Sequence, residues 1–157
     1  MSKDEKKEDE EIVRLGRAEV RRGLQLAEAV LGLALALTPF CLFPVCAQTR
    51  PDGTPMGCWY SGVLITVLGA AVVLLAALGL WRRRLSSLAH AGAVGAALMG
   101  WMIPNGILRV EGWPFGLCAD AGHACRAVTE PAAGALMAGI AAVGLLGLAW
   151  GFVSGGR

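Results

Sequence analysis

Long apolar runs alternate with short polar stretches along this chain, and the runs are sized for a lipid bilayer. Residues 23–45, GLQLAEAVLGLALALTPFCLFPV, supply about the 20 apolar residues that a helix needs to cross a hydrocarbon core about 30 Å thick. Within that run Pro39 and Pro44 predict a kink or an end, because proline lacks a backbone N–H and its ring crowds the preceding turn. Residues 62–81 form a second run, closed by Arg82, Arg83 and Arg84. The third, 85–103, is weaker: it is rich in Gly and Ala, contains His90, and is closed by Pro104, Asn105 and Gly106. A fourth is expected over 131–152, with Pro131 in its first turn and Glu130 ahead of it, where negative charge suits the helix dipole. The pattern predicts an all-α membrane protein, with four transmembrane helices in two antiparallel hairpins.

Two polar stretches cap one end of the predicted bundle. Residues 46–61 carry Arg50, Pro51, Asp52, Gly53 and Pro55, which is turn chemistry. Residues 104–130 carry Arg109, Glu111, Trp113, Cys118, Asp120, His123, Cys125 and Arg126, and the portion ILRVEGW alternates enough to allow a short ribbon. Ahead of the first run, residues 1–22 form a charged leader with the run KDEKKEDEE, a composition expected to be partly disordered. The first span is expected to stay uncleaved, because the long charged leader and Pro44 beside Ala47 fit a signal peptide poorly.

A hydrophobic content of 55% and a mean hydropathy of +0.58 place the whole of 23–157 in one small integral membrane domain. The net charge of +2 conceals a segregation that sets orientation. Lys3, Lys6, Lys7, Arg14, Arg17, Arg21, Arg22, the triplet Arg82, Arg83 and Arg84, and Arg157 all fall on one side of the predicted spans. Arg50, Arg109 and Arg126 fall on the other, offset by Asp52, Glu111, Asp120 and Glu130. Positively charged flanks stay in the cytoplasm, so both termini are expected inside and the cysteine-bearing loops outside a bacterial inner membrane. Nucleic acid is not an expected partner, since the leader mixes both signs and the arginines serve as membrane flanks.

Lipid tails remove most of the hydrophobic drive between spans, so small residues must let the helices approach. Gly92, Ala96 and Gly100 in the third run, and Gly147 and Gly151 in the fourth, offer that spacing. Glu28 lies about one and a half turns inside the first run, where a carboxylate is expected to reach the interface or pair with an arginine. His90 is expected to hydrogen-bond between helices. Trp59, Tyr60, Trp101 and Trp113 mark one interface and Trp81 and Trp150 the other.

Four of the five cysteines, Cys46, Cys58, Cys118 and Cys125, fall in the two polar stretches. In oxidising space they are expected to form structural disulfides that staple the cap, within each loop or between loops. Cys41 is expected as a buried free thiol. Two alternatives use the same sulfurs. Thiol exchange with a quinone would make the chain a membrane oxidoreductase, although it has Cys41-x4-Cys46 and no Cys-x-x-Cys. Met56-x-Cys58 and His123-x-Cys125 place soft ligands at the close spacing that Cu(I) favours. Without either alternative no cofactor is expected and no catalytic residue stands out.

The segments FPVC, PMGCWYSG and GLCADAGHACRAVTEPA resemble an uncharacterised bacterial membrane family, domain of unknown function 4418. The resemblance rests on Pro44 and Cys46, then Met56, Cys58, Tyr60, Ser61 and Gly62, then Cys125, Arg126, Thr129 and Pro131. The chain departs from the family pattern at Trp59, where histidine is usual, and at His123, where methionine is frequent. The resemblance implies a cysteine framework at two helix entrances and an association with permease subunits of ABC-type transport systems. Together these readings lead to the expectation of a non-enzymatic accessory or structural subunit of a larger membrane transport complex.

Overall fold

In the structure, a computed structural model, residues 3–46, 49–107, 111–112, 114–118 and 123–155 are described, with side chains from residue 15 to 153. They form four helices, α1 (Lys3–Leu37), α2 (Gly57–Trp81), α3 (Ser86–Met102) and α4 (Glu130–Gly155). Each packs antiparallel against its neighbours in the order α1, α2, α3, α4 and back to α1. Three helical stretches, Leu15–Leu42, Gly57–Trp81 and Cys125–Val153, are long and apolar enough to cross a membrane. The third expected span, 85–103, is α3, which is not among them: at 17 residues it rises about 26 Å, short of a hydrocarbon thickness. Its start is held back by a tight 3-10 turn over Arg83–Leu85, and its end by Pro104.

Helices α1, α2 and α4 begin earlier than the hydropathy pattern indicates. The charged leader continues α1 as helix from Lys3, in keeping with the high helix propensity of Lys and Glu. Helix α2 opens at Gly57, five residues ahead of the expected boundary, since Cys58–Ser61 contains neither proline nor glycine. A π-helical turn, Cys125–Thr129, leads directly into α4. Pro131 thus sits inside a continuous helix, and the wider turn before it relieves the clash of its ring with the preceding carbonyls.

Pro39 acts as expected. After Leu37 the chain widens into a π-helical turn, Thr38–Leu42, and stops. The Thr38 hydroxyl donates to the Ala34 carbonyl at 2.7 Å, while Phe43 N–H reaches the Thr38 carbonyl at 2.8 Å. The following loop makes a tight turn: Arg50 N–H donates to Thr54 O, Gly53 N–H to Arg50 O, and Asp52 Oδ1 accepts from Thr54 Oγ1 at 2.7 Å. Gly53 supplies the left-handed backbone there, with φ of 79°. Of the expected ribbon ILRVEGW, Arg109 and Trp113 lie outside the described residues, and Glu111 and Gly112 form a turn. Asp120 and Arg157 also lie outside the described residues.

A thin core of Leu35, Ile65, Val72, Ala93, Ala97, Met137 and Ile140 runs down the bundle axis. Larger side chains such as Val30, Val67, Leu74, Leu98, Leu145 and Leu146 face outward, an arrangement that suits a lipid surround. Close backbone approach does the packing. A Cβ on Gly69 would lie 2.5 Å from Ala36 N and 2.7 Å from Gly32 O, so α1 and α2 touch backbone to backbone at this crossing. Gly92 makes room for Leu75, Gly100 for Met137 and Leu68, Gly151 for Ser87, and Ala96 is buried in the core. The arginines Arg82, Arg83 and Arg84 are exposed at the α2–α3 turn, at the same end as Arg17 and Arg21. The polar loops and their cysteines occupy the opposite end.

Candidate metal centre

At the loop end four sulfurs converge from four separate places in the chain. Cys46 follows the π-helical end of α1, Cys58 lies in the first turn of α2, Cys118 lies in the second loop, and Cys125 opens the turn that feeds α4. All four Sγ atoms lie within 4.8 Å of one another. Individual separations are 2.8 Å for Cys118–Cys125, 3.2 Å for Cys46–Cys125 and 3.7 Å for Cys46–Cys118. A disulfide holds its sulfurs about 2.05 Å apart, and all five cysteines are free. The expected disulfide staple is therefore corrected: the sulfurs form one shared knot rather than bonded pairs. Cys41 is also corrected, since the π-helical turn that carries it leaves its side chain exposed rather than buried.

Local hydrogen bonds explain why the loops close on this point. Ser61 Oγ donates to the Gly116 carbonyl at 3.1 Å, and Gly116 N–H donates back to the same hydroxyl at 3.0 Å, so the second loop is pinned to α2. Thr129 Oγ1 donates to the Phe43 carbonyl at 3.0 Å, fixing the start of α4 to the end of α1. Gly57 is needed for close approach, because a Cβ there would lie 2.7 Å from the Pro114 carbonyl oxygen. Phe40, Trp59 and Tyr60 stack edge to face beside this cap.

The surroundings of the knot are those of a thiolate site. Cys58 and the turn bearing Cys125 present the positive ends of two helix dipoles to it. His123 Nδ1 lies 3.9 Å from the Cys46 sulfur, and Arg126 Nη1 donates to the Cys118 carbonyl at 3.2 Å. Arg50 and Met56 line a small opening above Cys58 and Cys118. Burial pushes the Cys46 thiol up, but hydrogen bonds from Cys125, Cys118 and His123 outweigh it and bring it down to about 7. Cys118 is pushed up, first by burial and then by its contacts with Cys125, Cys58 and Cys46. Four soft donors at mutual contact, with cationic and dipolar neighbours, can chelate a thiophilic ion.

A second polar cluster sits inside the bundle near the arginine end. Glu28 is fully buried and its Oε1 lies 2.8 Å from His90 Nδ1, so it pairs with histidine across the bundle rather than reaching the interface or an arginine. One turn away Gln25 Nε2 donates to Ser86 Oγ at 2.9 Å. Glycines clear the space: a Cβ on Gly147 would lie 2.6 Å from the His90 ring, and one on Gly144 3.2 Å from Glu28 Oε1. Gly79 plays the same part for the Gln25 amide. Ser86, Gly79, Gly32 and Gly69 carry no signal in the hydropathy pattern. The polar residue Gln25, three before Glu28 on the same face of an apolar run, is the one trace that marks this cluster in the sequence.

Residues 28–150 match the sequence profile of the family described as Domain of unknown function (DUF4418). No curated protein and no solved structure matches the chain.

Proposed function

Starting from a chain that belongs to the DUF4418 family, we propose that it is a small membrane protein whose outer cap is locked by a thiophilic metal ion, Zn2+ in the first instance, bound by Cys46, Cys58, Cys118 and Cys125. The reading rests on the convergence of four sulfurs within 4.8 Å. Thiolates around a tetrahedral ion at a metal–sulfur length of about 2.3 Å stand about 3.8 Å apart, a spacing these side chains reach with small adjustments. A closed four-cysteine set leaves no open coordination position, so the ion would serve structure rather than catalysis. Arg50 and Arg126 offset the negative charge that four thiolates bring, and a ring nitrogen of His123 lies beside Cys46.

This assigns the chain a non-enzymatic role, an accessory or structural subunit presenting a fixed cap to a partner in the membrane. An ABC-type permease is the partner class implied by the family resemblance. The positive flanks favour a bacterial inner membrane with both termini in the cytoplasm and the cysteine knot outside. Coordination would also protect the thiols from oxidation there.

A second reading is favoured by a groove of about 490 Å³ beside the knot, lined by Trp101, Leu117, Arg126, Pro131 and Met137 among others. An isoprenoid quinone could take two electrons and two protons there from a pair of these thiols, leaving quinol and a disulfide. The two readings separate on the purified protein. Elemental analysis is expected to give one zinc per chain, lost in the Cys58→Ser and Cys125→Ser variants. Metal-free protein whose reduced cysteines become bonded on addition of a quinone, by intact mass, with quinol formed in equal amount, would replace the metal reading with the redox one. Copper(I) in place of zinc would keep the site and change the ion.

A further inference from the structure

The end of the bundle opposite the cysteines holds a cavity of about 340 Å³ between the start of the first span, the α2–α3 turn and the end of α4. Its walls carry Arg17, Arg21, Arg83, Ser86, Ser87 and His90, with the indole of Trp150 and the side chain of Leu24 as apolar surface. No carboxylate among the described residues lines it. Among the described residues none of the three arginines belongs to an ion pair. Arg21 Nε is enclosed without a hydrogen-bond partner, which is costly for a charged donor unless something accepts from it. Gly147 and Gly151 on α4 keep the wall thin, and the lining His90, 2 % exposed, pairs on its far side with buried Glu28.

From this geometry we infer a binding site for a phosphate-bearing anion, supplied by an anionic lipid headgroup or by soluble phosphate. Three guanidinium groups around one space provide planar, multi-donor recognition of phosphate oxygens, and the serine hydroxyls add donors. The volume holds roughly ten waters, enough for a phosphate and its first carbons. Apolar Leu24 and Trp150 beside the cationic groups suit a ligand with a lipid tail, and basic pockets between membrane helices take anionic headgroups in this way. The charge is also selective. Arg22, Arg82 and Arg84 do not line the cavity, although they lie on the same flank.

The test uses the full chain in a neutral detergent. Native mass spectrometry follows retention of phosphatidylglycerol against phosphatidylcholine, and a parallel thermal melt follows protection by inorganic phosphate against chloride. The wild type and Arg84→Gln are expected to behave alike. Arg21→Gln combined with Arg83→Gln should weaken binding more than about tenfold, as loss of charge-assisted hydrogen bonds predicts. The Arg21→Lys and Arg83→Lys pair, which keeps the charge but loses the fork, should fall between. Retention of phosphatidylglycerol without protection by phosphate identifies the lipid as the source; protection by phosphate alone identifies the soluble anion. The inference is overturned if neither ligand binds above its control, or if Arg84→Gln loses as much as the double variant. Unliganded melting temperatures of each variant separate lost binding from lost folding.

Discussion

At the scale of single residues, glycine does two different jobs in this protein. At Gly147 the missing side chain is filled by the His90 ring, so Gly147→Ala forces a methyl into a contact of 2.6 Å. Overpacking of that kind costs about 1–3 kcal/mol, and a lowered melting temperature in detergent is the expected readout. Gly95 and Gly134 meet nothing within 4 Å, and alanine there should be neutral or stabilising by about 0.5–1 kcal/mol, because glycine is a poor helix residue. A second residue-scale prediction concerns Glu28. Replacing it by leucine leaves His90 buried without its partner, and breaking a buried pair costs about 3–5 kcal/mol. Glu28→Gln, which can keep one hydrogen bond, should cost on the order of 1 kcal/mol. Equal losses for both variants would show that packing volume, and not the hydrogen bond to His90, governs the site.

Helix boundaries are decided at the next scale up, and they move the chemistry. The apolar runs of the second and fourth spans mark their middles well but miss their openings, since Cys58 and Cys125 sit in polar-looking sequence that nevertheless folds as helix. As a result two cysteines expected in loops project from helix starts, where rigid backbone aims them at one point. Gly57→Ala tests this arrangement: its methyl would meet the Pro114 carbonyl at 2.7 Å and push the second loop off α2. Faster alkylation of Cys118 with little change in the helical circular dichroism is the expected outcome. At the other end, exposed Arg82, Arg83 and Arg84 form the turn between α2 and α3. Neutralising all three is expected to weaken orientation, read by a reporter in that turn appearing outside in a fraction of molecules. A reporter that stays wholly inside would show that Arg17, Arg21 and Arg22 suffice.

For the molecule as a whole, the two ends of the bundle carry different devices. The cysteine knot joins the end of α1, the start of α2, the second loop and the start of α4, so one bound ion would tie all four together. Removing the ion with a strong chelator is expected to lower the melting temperature and expose all four thiols to alkylation together, while far-ultraviolet helicity persists. Independent modification of one cysteine at a time would speak against a shared ion. Near the arginine end, Glu28, His90, Gln25 and Ser86 cross-link the diagonal between α1 and α3, which share few backbone contacts. The bundle is thereby held at its centre by apolar close approach and toward its ends by polar groups.

Hydrophobic patterning by itself determined the class of the protein, the number and order of the helices, the proline-terminated end of the first span and the segregation of arginine from cysteine. Those properties follow from local composition, because burial in lipid and helix periodicity are read residue by residue. The partners of the cysteines, of Glu28 and of Gln25 were decided only by the tertiary structure. Cys46 and Cys125 are 79 residues apart, and Glu28 and His90 are 62 apart. Which groups meet at such separations depends on helix rotation and on the depth of each crossing. Those are set by small residues such as Gly69 and Gly147, whose importance lies in the neighbour that fills their space.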